Sequence, residues 1–324
     1  MRKQLQVVVL DDGYESYTTE QSILAEIGAA LILKPCHNDA MAVAAALVDS
    51  DAALVRESPV TAEAIAGAQH CQVIVRYGIG VDNIDRSAAA EHKIYVANVP
   101  DYGAEEVSDH AMALLLAVAR YVIRRDHYVR NGAWNVSRQE KMHRIAGRTL
   151  GLVGYGRIPR IFERKMRGMG ISRVLVTDPY LNLGINSSVE SVDLKTLCAE
   201  SDYISLHAPL TKETRHMIGE REIGWMKPTA ILINTARGPL IDEKALIDAL
   251  QRRTITGAGL DVFEREPLPA DSPLIGLDNI VLSDHTAWYS EESVEELQSK
   301  AAMEVRRVLK GERPLHWVNR WEDS

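Results

Sequence analysis

Cysteine is scarce in this sequence, and the few cysteines present are not spaced as disulfide partners or metal ligands. There are three, an odd number, at Cys36, Cys71 and Cys198, and no CxxC pair occurs. This spacing argues against a disulfide framework and against a cysteine zinc site. It is typical of ordinary buried thiols in a reducing compartment, so we expect no metal and a cytoplasmic location.

Long apolar runs and an excess of positive charge are also missing. The longest apolar stretches, such as 111–119, are far shorter than the roughly 20 residues that cross a bilayer. Near the N-terminus the apolar run 7–10 stops at Asp11, too early for the apolar region of a signal peptide. The net charge is −8, so there is no basic excess with which to bind nucleic acid or an anionic membrane. We therefore expect neither kind of partner.

What the sequence does contain is an alternation of short β-branched runs with helical patterns, in two successive series. Strand–helix–strand repetition of this kind implies parallel sheets with right-handed crossovers. A chain of 324 residues, 46% of them hydrophobic, suits two domains with substantial cores. The sequence thus predicts an α/β fold with two doubly wound parallel sheets. The predicted strands are 7–10, 30–33, 52–55, 73–76 and 94–99 in the first series, and 149–156, 174–178, 203–207, 230–234, 256–262 and 280–285 in the second.

A longer helical pattern separates the two series. Residues 103–130 carry acids at the start and arginines towards the end, which matches the helix dipole. The apolar surface of this pattern is wider than one-sided packing needs. It predicts a single long helix between two bodies, such as the two subunits of a dimer. A second long helix is predicted over 290–310.

The second series opens on a glycine turn that could bind a dinucleotide. Gly154 and Gly156 follow an apolar strand and precede a helical pattern. In a dinucleotide fold the first glycine makes the tight turn and the second lets the backbone approach a pyrophosphate at the helix N-terminus. Pro159 replaces the usual third glycine, but proline is tolerated in a first helical turn. Taken by itself, a glycine turn of this kind is about as likely to occur by chance as to mark a dinucleotide site.

Asp178 strengthens this interpretation. It ends the next predicted strand, 19 residues after Pro159, where a carboxylate can accept both ribose hydroxyls of the nucleotide. A carboxylate there repels a 2′-phosphate, so the sequence favours NAD over NADP. The alternative is that Asp178 and Pro179 form only the turn that closes the strand.

Three further strand ends carry groups suited to acid–base chemistry on an anion. Arg237, Glu266 and His285 each follow a predicted strand, and strand carboxyl ends line the ligand crevice of a doubly wound sheet. An arginine matches a carboxylate geometrically. A carboxylate beside a histidine favours its protonated form. Taken singly, such an arginine is usually a surface residue and such a histidine usually bonds the backbone.

Taken together in this order, the motifs resemble the D-isomer-specific 2-hydroxyacid dehydrogenase family. The stretches that carry the resemblance are RYGIGVDNID (76–85), NVPDYGAEEVSDHAMALLLAVAR (98–120), GLVGYGRIPR (151–160), SLHAPLTKETRHMI (205–218), NTARG (234–238) and GLDVFEREP (259–267). HTAWYS (285–290) is most similar to the C-terminal binding protein branch. The resemblance implies a Rossmann NAD-binding domain over 101–286. It also implies a flavodoxin-like substrate domain over 1–100 plus 287–324.

The resemblance also implies a role for individual residues. His285 would protonate the keto oxygen, Glu266 would keep His285 protonated, and Arg237 would hold the substrate carboxylate. Arg76 and the backbone amides of Gly78 and Ile79 would contact the same carboxylate, with Trp288 as an apolar wall or, alternatively, a core or subunit-contact aromatic. The positions implied for NAD are Gly154, Gly156, Arg157, Ile158, Asp178, His207, Pro209, Thr214, Thr235, Asp261 and, from the catalytic set, Arg237 and His285.

The implied activity is NAD-dependent hydride transfer at C2 of a small anionic 2-hydroxy or 2-keto acid, such as hydroxypyruvate, glyoxylate or a phosphoglycerate-like acid. The resemblance also implies domain closure around the substrate and a homodimer. Two alternatives stay open at this point. One is an NAD(H)-sensing regulatory scaffold of the C-terminal binding protein type, which carries the same three catalytic residues. The other keeps the chemistry but changes the substrate, as in phosphite oxidation.

Overall fold

The alternating apolar runs form two separate parallel sheets in the structure, a computed structural model that describes residues 4–134, 141–181 and 188–321. The chain divides into two compact units. The first contains Met1–Tyr102 and Ser290–Ser324, and the second contains Gly103–Tyr289. Each unit holds one sheet.

The predicted strands all form and follow one another in the predicted order, and one short edge strand, Glu190–Ser191, forms in addition where the sequence predicts none. The strands are β1 (Gln6–Val9), β2 (Ala30–Leu33), β3 (Ala52–Val55), β4 (Val73–Arg76), β5 (Tyr95–Ala97), β6 (Thr149–Val153), β7 (Arg173–Thr177), β8 (Glu190–Ser191), β9 (Tyr203–Leu206), β10 (Ile231–Asn234), β11 (Gly257–Leu260) and β12 (Ile280–Leu282). The α-helices are α1 (Thr18–Ala25), α2 (Ala40–Leu47), α3 (Ala62–Gly67), α4 (Arg86–Glu91), α5 (Ala104–Ala119), α6 (Val122–Arg130), α7 (Arg157–Gly168), α8 (Leu194–Glu200), α9 (Glu220–Trp225), α10 (Glu243–Gln251) and α11 (Glu291–Leu309).

The first unit has a five-stranded sheet in the order β2-β1-β3-β4-β5, and every pairing is parallel. Strand β3 is buried along its whole length, which explains why it reads as a continuous apolar run. The N-cap residues of helices α2, α3 and α4 are Asp39, Thr61 and Asp85. Their side chains accept hydrogen bonds from backbone amides in the first turn. The strand order reverses between β1 and β3, which creates a crevice at their carboxyl ends.

The second unit has a seven-stranded parallel sheet in the order β12-β11-β10-β9-β6-β7-β8. Buried apolar clusters cover both of its faces, one around Leu232 and Leu260 and the other around Leu152 and Ile233. Here the strand order reverses between β6 and β9. The two sheets are therefore both doubly wound, as the sequence predicts.

The prediction of one helix over 103–130 is wrong. The structure has two helices, α5 and α6, because Tyr121 lies in the left-handed region with φ 52°. A left-handed residue cannot continue the helical hydrogen-bond ladder. The residue types of Arg120 and Tyr121 do not predict the break, because both are acceptable in a helix. The halves also differ in burial, because α5 contains eight buried residues and α6 contains none.

The structure bears on two of the predictions, those for the cysteines and for membrane-spanning segments. Cys36, Cys71 and Cys198 are all buried and unbridged, which confirms the interpretation as ordinary thiols. Within the part of the chain that the structure describes, every helix is too short or too polar to cross a membrane.

Candidate active site

The glycine turn at the carboxyl end of β6 is closely packed on one side and open on the other. Gly154 has φ +87°, and a Cβ at this position would lie 2.9 Å from the backbone N of Ala208 and the carbonyl C of His207. A side chain is thus excluded by both conformation and space. Gly156 ends the turn just before α7 and has open space where its Cβ would be. Helix α7 forms with Pro159 in its first turn, as predicted, so the first amides still lack intrahelical partners.

Asp178 follows β7 and is tied to this turn. One carboxylate oxygen accepts a hydrogen bond from the amide of Tyr155 at 2.8 Å, and the other accepts from the amide of Tyr180 at 2.8 Å. The carboxylate therefore lies beside the glycine turn. The turn-closing role that the sequence left open is also real, since the Tyr180 bond fixes the Asp-Pro turn.

The loop after β9 supplies a neutral imidazole. Burial lowers the pKa of His207 to about 3, so its ring carries no charge at neutral pH. Its Nε2 lies 2.9 Å from Ser205 Oγ. Further along this loop, the hydroxyl of Thr214 donates to the Pro209 carbonyl at 2.7 Å. Thr214 and Pro209, both predicted to bind NAD, are therefore hydrogen-bonded to each other.

Thr235 stands out among the predicted positions. It follows β10, and its hydroxyl oxygen is buried without a hydrogen-bond partner in the described part of the chain. Because a buried hydroxyl without a partner costs free energy, a polar group of a ligand could hydrogen-bond here.

Glu266 and His285 form a close pair. His285 Nδ1 lies 2.6 Å from Glu266 Oε2, while Glu266 Oε1 accepts from the amide of Phe263 at 2.9 Å. Partial burial is the largest effect and opposes ionisation of Glu266, but the hydrogen bonds with His285 and Phe263 and the charges of His285 and Arg237 together outweigh it and lower the pKa of the carboxyl. The neighbouring acid, Glu264, pairs instead with His216 at 2.7 Å. Of the two acids in this loop, Glu266 is the partner of His285.

Arg237 lies close enough to act on this pair. Its positive charge contributes to the lowered pKa of Glu266. The arrangement depends on Gly238, because a Cβ there would lie 1.9 Å from the backbone of Phe263. Only glycine allows the Arg237 loop to pack directly on the Glu266 loop. The structure thus brings together Arg237, Glu266 and His285.

The turn that carries His285 is held by Asp261 at the end of β11. His285 has φ 57°, in the left-handed region. The buried carboxylate of Asp261 accepts from the amides of Thr286 and Ala287, both at 3.0 Å, and its carbonyl accepts from the amide of His285 at 2.8 Å. These bonds hold a backbone conformation that a histidine rarely adopts.

Two further residues of this network escaped the sequence interpretation. Ser283 Oγ donates to Asp261 at 2.7 Å, and His110 Nε2 lies 2.7 Å from Ser283 Oγ. The contact between Ser283 and Asp261 could have been predicted, since both end neighbouring strands. His110 could not, because its place depends on how α5 packs on the sheet.

Trp288 lies directly after this turn. Its indole N–H donates to the His285 carbonyl at 3.1 Å, and its ring meets Tyr289 edge-on. The indole is half-buried, so both interpretations given for Trp288 stay open.

The first unit holds the other predicted substrate residues at the carboxyl end of β4. The Arg76 guanidinium folds over Gly78, where a Cβ would lie 1.4 Å from its terminal nitrogen, and donates to the Tyr77 carbonyl at 2.6 Å. The Gly78 amide donates to the Arg76 carbonyl at 2.9 Å, so in this conformation it is engaged within the loop. The carbonyl of Ile79 accepts from Asn98.

Comparison with known proteins decides the family. The model for "D-isomer specific 2-hydroxyacid dehydrogenase, NAD binding domain" matches residues 112–287. A glyoxylate reductase of Korarchaeum cryptofilum is 44% identical over 266 residues, 81% of this chain and 80% of that protein. The chain belongs to the D-isomer-specific 2-hydroxyacid dehydrogenase family.

Other members of the family agree in sequence and in fold. A glyoxylate reductase of Thermococcus litoralis is 41% identical, with 84% of each chain covered. A crystal structure of D-lactate dehydrogenase from Aquifex aeolicus, complexed with NAD and lactic acid, has a TM-score of 0.85 at 28% identity, covering 94% of this chain and 96% of that one. This protein is accordingly an NAD-dependent dehydrogenase of 2-hydroxy and 2-keto acids. The regulatory-scaffold alternative is not favoured.

The second unit's residues fit the cofactor of this family. The open backbone at Gly156, the carboxylate of Asp178 and the buried hydroxyl of Thr235 lie at the carboxyl ends of β6, β7 and β10. This is the edge at which doubly wound sheets bind dinucleotides. When bound, NADH supplies the hydride that the protein itself cannot provide.

Proposed function

We propose that this dehydrogenase reduces glyoxylate and similarly small 2-keto acids to D-2-hydroxy acids, with NADH as the reductant. The observation that carries the proposal is the pairing of His285 with Glu266 at 2.6 Å beside Arg237. A proton donor and a carboxylate-binding cation are the two groups that reduction of a 2-keto acid requires from the protein. Two relatives with more than 40% identity are named glyoxylate reductases.

His285 transfers the proton through Nε2. Its Nδ1 is engaged by Glu266, so Nε2 is the ring nitrogen left for the substrate. During reduction the protonated imidazole gives this proton to the keto oxygen as hydride reaches C2, and the product is the hydroxy acid. The negative charge of Glu266 stabilises the imidazolium before the transfer.

Arg237 binds the substrate carboxylate. Its guanidinium offers paired N–H donors that match the two carboxylate oxygens, and the Gly238 contact holds it beside Glu266. In the first unit, Arg76 and the amides of Gly78 and Ile79 bind the same carboxylate, with the Gly78 amide released from its bond to Arg76. NAD binding uses the predicted positions that end β6, β7, β9, β10 and β11.

The proposal is tested by NADH oxidation with glyoxylate. We expect turnover in the purified protein and a fall of about two orders of magnitude or more in His285→Ala. NADH binding, followed by quenching of protein fluorescence, should survive in that variant. Absence of glyoxylate reduction by the unaltered protein would contradict the proposal, and near-normal turnover in His285→Ala would remove His285 as the proton donor.

We also propose that the protein is a cytoplasmic homodimer. The support for a dimer is the exposure of apolar side chains on and just after α6, where Val122, Ile123 and Val129 are each more than half exposed and Trp134 is 75% exposed. Apolar surface of this kind favours burial by a partner. Sedimentation velocity distinguishes a dimer from a 36.0 kDa monomer.

A further inference from the structure

Four neighbouring loops of the first unit place polar side chains at one edge of its sheet. Tyr14 follows β1, Arg56 follows β3, Arg76 ends β4 and Tyr102 follows β5. In the sheet order these four strands are adjacent, and the order reverses between β1 and β3. Ligands of doubly wound sheets bind at such a reversal, beyond the carboxyl ends of the strands. Tyr14 and Arg56 stand on either side of it.

The hydroxyl of Tyr14 is buried and lacks a hydrogen-bond partner within the described residues. Its ring is fixed edge-on against two other tyrosines, with centroids 5.8 Å from Tyr17 and 5.1 Å from Tyr77. The packed ring therefore fixes the position of the hydroxyl oxygen, which cannot move to a partner elsewhere. Leaving such a group unsatisfied destabilises the fold, so its retention calls for a partner that arrives later.

The two neighbouring tyrosines have no such deficit. Tyr77 donates its hydroxyl hydrogen to Glu20 at 2.7 Å, and Tyr17 donates to the Asp11 carbonyl at 2.8 Å. Glu20 is fully buried and also accepts from Gln298. Of the three packed rings, only Tyr14 has a hydroxyl that no contact in the described residues explains.

The surroundings of Tyr14 connect it to the substrate loop. Burial is the main reason that the pKa of Tyr14 is raised, with Tyr102 next, while the charges of Arg56 and Arg76 oppose the rise. Tyr102 in turn reaches Gly78, since its hydroxyl lies 3.2 Å from where a Gly78 Cβ would be. The Arg56 guanidinium folds over Gly13, beside Tyr14, and donates to the Gly13 carbonyl at 3.3 Å. Tyr14 thus keeps its proton, next to two cations.

We propose that the Tyr14 hydroxyl donates a hydrogen bond to an oxygen on C3 of the substrate. The enzyme then selects 2-keto acids with an oxygen at C3, as in hydroxypyruvate, over those with a hydrogen or a methyl group there. This inference rests on the proposed function, because it takes Arg76 and Gly78 as the site of the substrate carboxylate. Carbon C3 is two bonds from that carboxylate, so its substituent falls among the residues next to these two.

The physical basis of the selection is the cost of leaving Tyr14 unsatisfied. A substrate with a C3 oxygen supplies the missing acceptor, and nearby Arg56 and Arg76 favour an electron-rich group. A methyl group in the same place keeps the hydroxyl buried without a partner. Sites built to hydrogen-bond a substrate group discriminate strongly against analogues that lack it.

The test compares kcat/KM for NADH-dependent reduction of hydroxypyruvate, pyruvate and glyoxylate in three proteins. These are the unaltered protein, Tyr14→Phe and Tyr17→Phe. Tyr14→Phe keeps the packed ring and removes only the hydroxyl. We expect it to lower kcat/KM for hydroxypyruvate by about tenfold, the loss typical of one hydrogen bond, and to leave pyruvate and glyoxylate within about twofold.

Tyr17→Phe is the matched control, since it removes the hydroxyl of the adjacent ring, which bonds only to backbone, namely the Asp11 carbonyl and the Tyr14 amide, among the contacts described. Its substrate ratios should equal those of the unaltered protein. An equal fall for all three substrates in Tyr14→Phe, or no change in their ratio, overturns the inference while the proposed function stands. If Tyr14→Phe does not fold, as judged by its melting transition, the unaltered protein decides: similar kcat/KM for hydroxypyruvate and pyruvate overturns the inference. Failure of the unaltered protein to reduce any 2-keto acid overturns the proposed function instead.

Discussion

At the scale of single residues, the pair formed by His285 and Glu266 places a carboxylate in direct hydrogen-bond contact with an imidazole. Glu266 is held by two bonds, one to His285 and one to the Phe263 amide. Its lowered pKa means that it stays ionised in mildly acidic solution. Glu266 therefore carries its negative charge beside His285 at neutral pH.

Replacing Glu266 with glutamine tests this charge. The substituted amide keeps the size of the side chain and can still accept from the Phe263 amide, but it cannot stabilise an imidazolium. In Glu266→Gln we expect kcat/KM for NADH-dependent reduction of glyoxylate to fall about tenfold at neutral pH.

Glu264→Gln is the control for that experiment. Glu264 lies in the same loop and is also paired with a histidine, His216, yet it does not touch His285. Its kcat/KM should equal that of the unaltered protein. A fall in kcat/KM for Glu264→Gln equal to that for Glu266→Gln would assign the effect to the general charge of the loop.

His207 makes the free energy of unfolding depend on pH. Burial lowers its pKa from 6.5 in the unfolded chain to about 3 in the folded protein. Between these values the unfolded state binds the proton and the folded state does not, so stability falls as the pH decreases from 6.5 towards 3. In His207→Gln we expect a smaller loss of stability between pH 7 and pH 4, measured by urea unfolding without cofactor. The exposed His143 provides the control, because His143→Gln should leave that loss unchanged.

The sequence predicts residues at strand ends well, and residues that act through tertiary packing poorly. Arg237, Glu266 and His285 could be grouped beforehand because parallel strands end at one edge of a sheet. His110 could not be added to this group, since its contact with Ser283 depends on the docking of α5. The unsatisfied hydroxyl of Tyr14 is likewise visible only once its neighbours are known.

At the scale of secondary-structure elements, the turn from β6 into α7 packs too closely to accept a larger residue at its first glycine. In Gly154→Ala the new Cβ would lie 2.9 Å from the backbone of the β9 loop and would sit at a positive φ. The turn must then open, which displaces the amides that are predicted to approach the pyrophosphate. We expect NADH affinity to drop by tenfold or more, on the order of the 1–3 kcal/mol that such backbone strain costs.

Gly168→Ala is the matched control for this change. Gly168 ends α7, has no positive φ, and has no heavy atom within 4 Å of the site of its Cβ. Titration of both variants with NADH, followed by fluorescence, should show an effect of the first substitution alone. Equal affinities for the two variants would mean that the turn can relax at little cost.

The break between α5 and α6 shows where element prediction reaches its end. Periodicity and charge placement over 103–130 indicate a helix in both halves, and both halves are helical. The left-handed conformation of Tyr121 depends on the surroundings of the chain, and the residue types at 120 and 121 do not predict it. The boundary of an element is thus less predictable than its type.

At the scale of the whole molecule, two sheets with separate cores divide the predicted tasks. The predicted NAD positions lie in the second unit, at the carboxyl ends of β6, β7, β9, β10 and β11. A ligand that binds only the native state stabilises it by about 2.7 kcal/mol when present at 100 times its Kd. This stabilisation should be largest in the residues around the bound ligand.

Hydrogen exchange can locate this effect. With saturating NADH and no substrate, we expect the largest slowing of amide exchange in peptides that cover 153–158 and 178–180. Peptides that cover β1 to β5 should change less. Greater slowing in the first unit than in the second would contradict the assignment of NAD to the glycine turn.

Asp178 limits how this protein could be re-engineered for a phosphorylated coenzyme. The obvious design removes this carboxylate, which is predicted to repel the extra phosphate. The same carboxylate anchors the amides of Tyr155 and Tyr180, so its removal loosens the loop that is predicted to bind the coenzyme. A successful design would first install another acceptor for those two amides and only then introduce a cation for the phosphate.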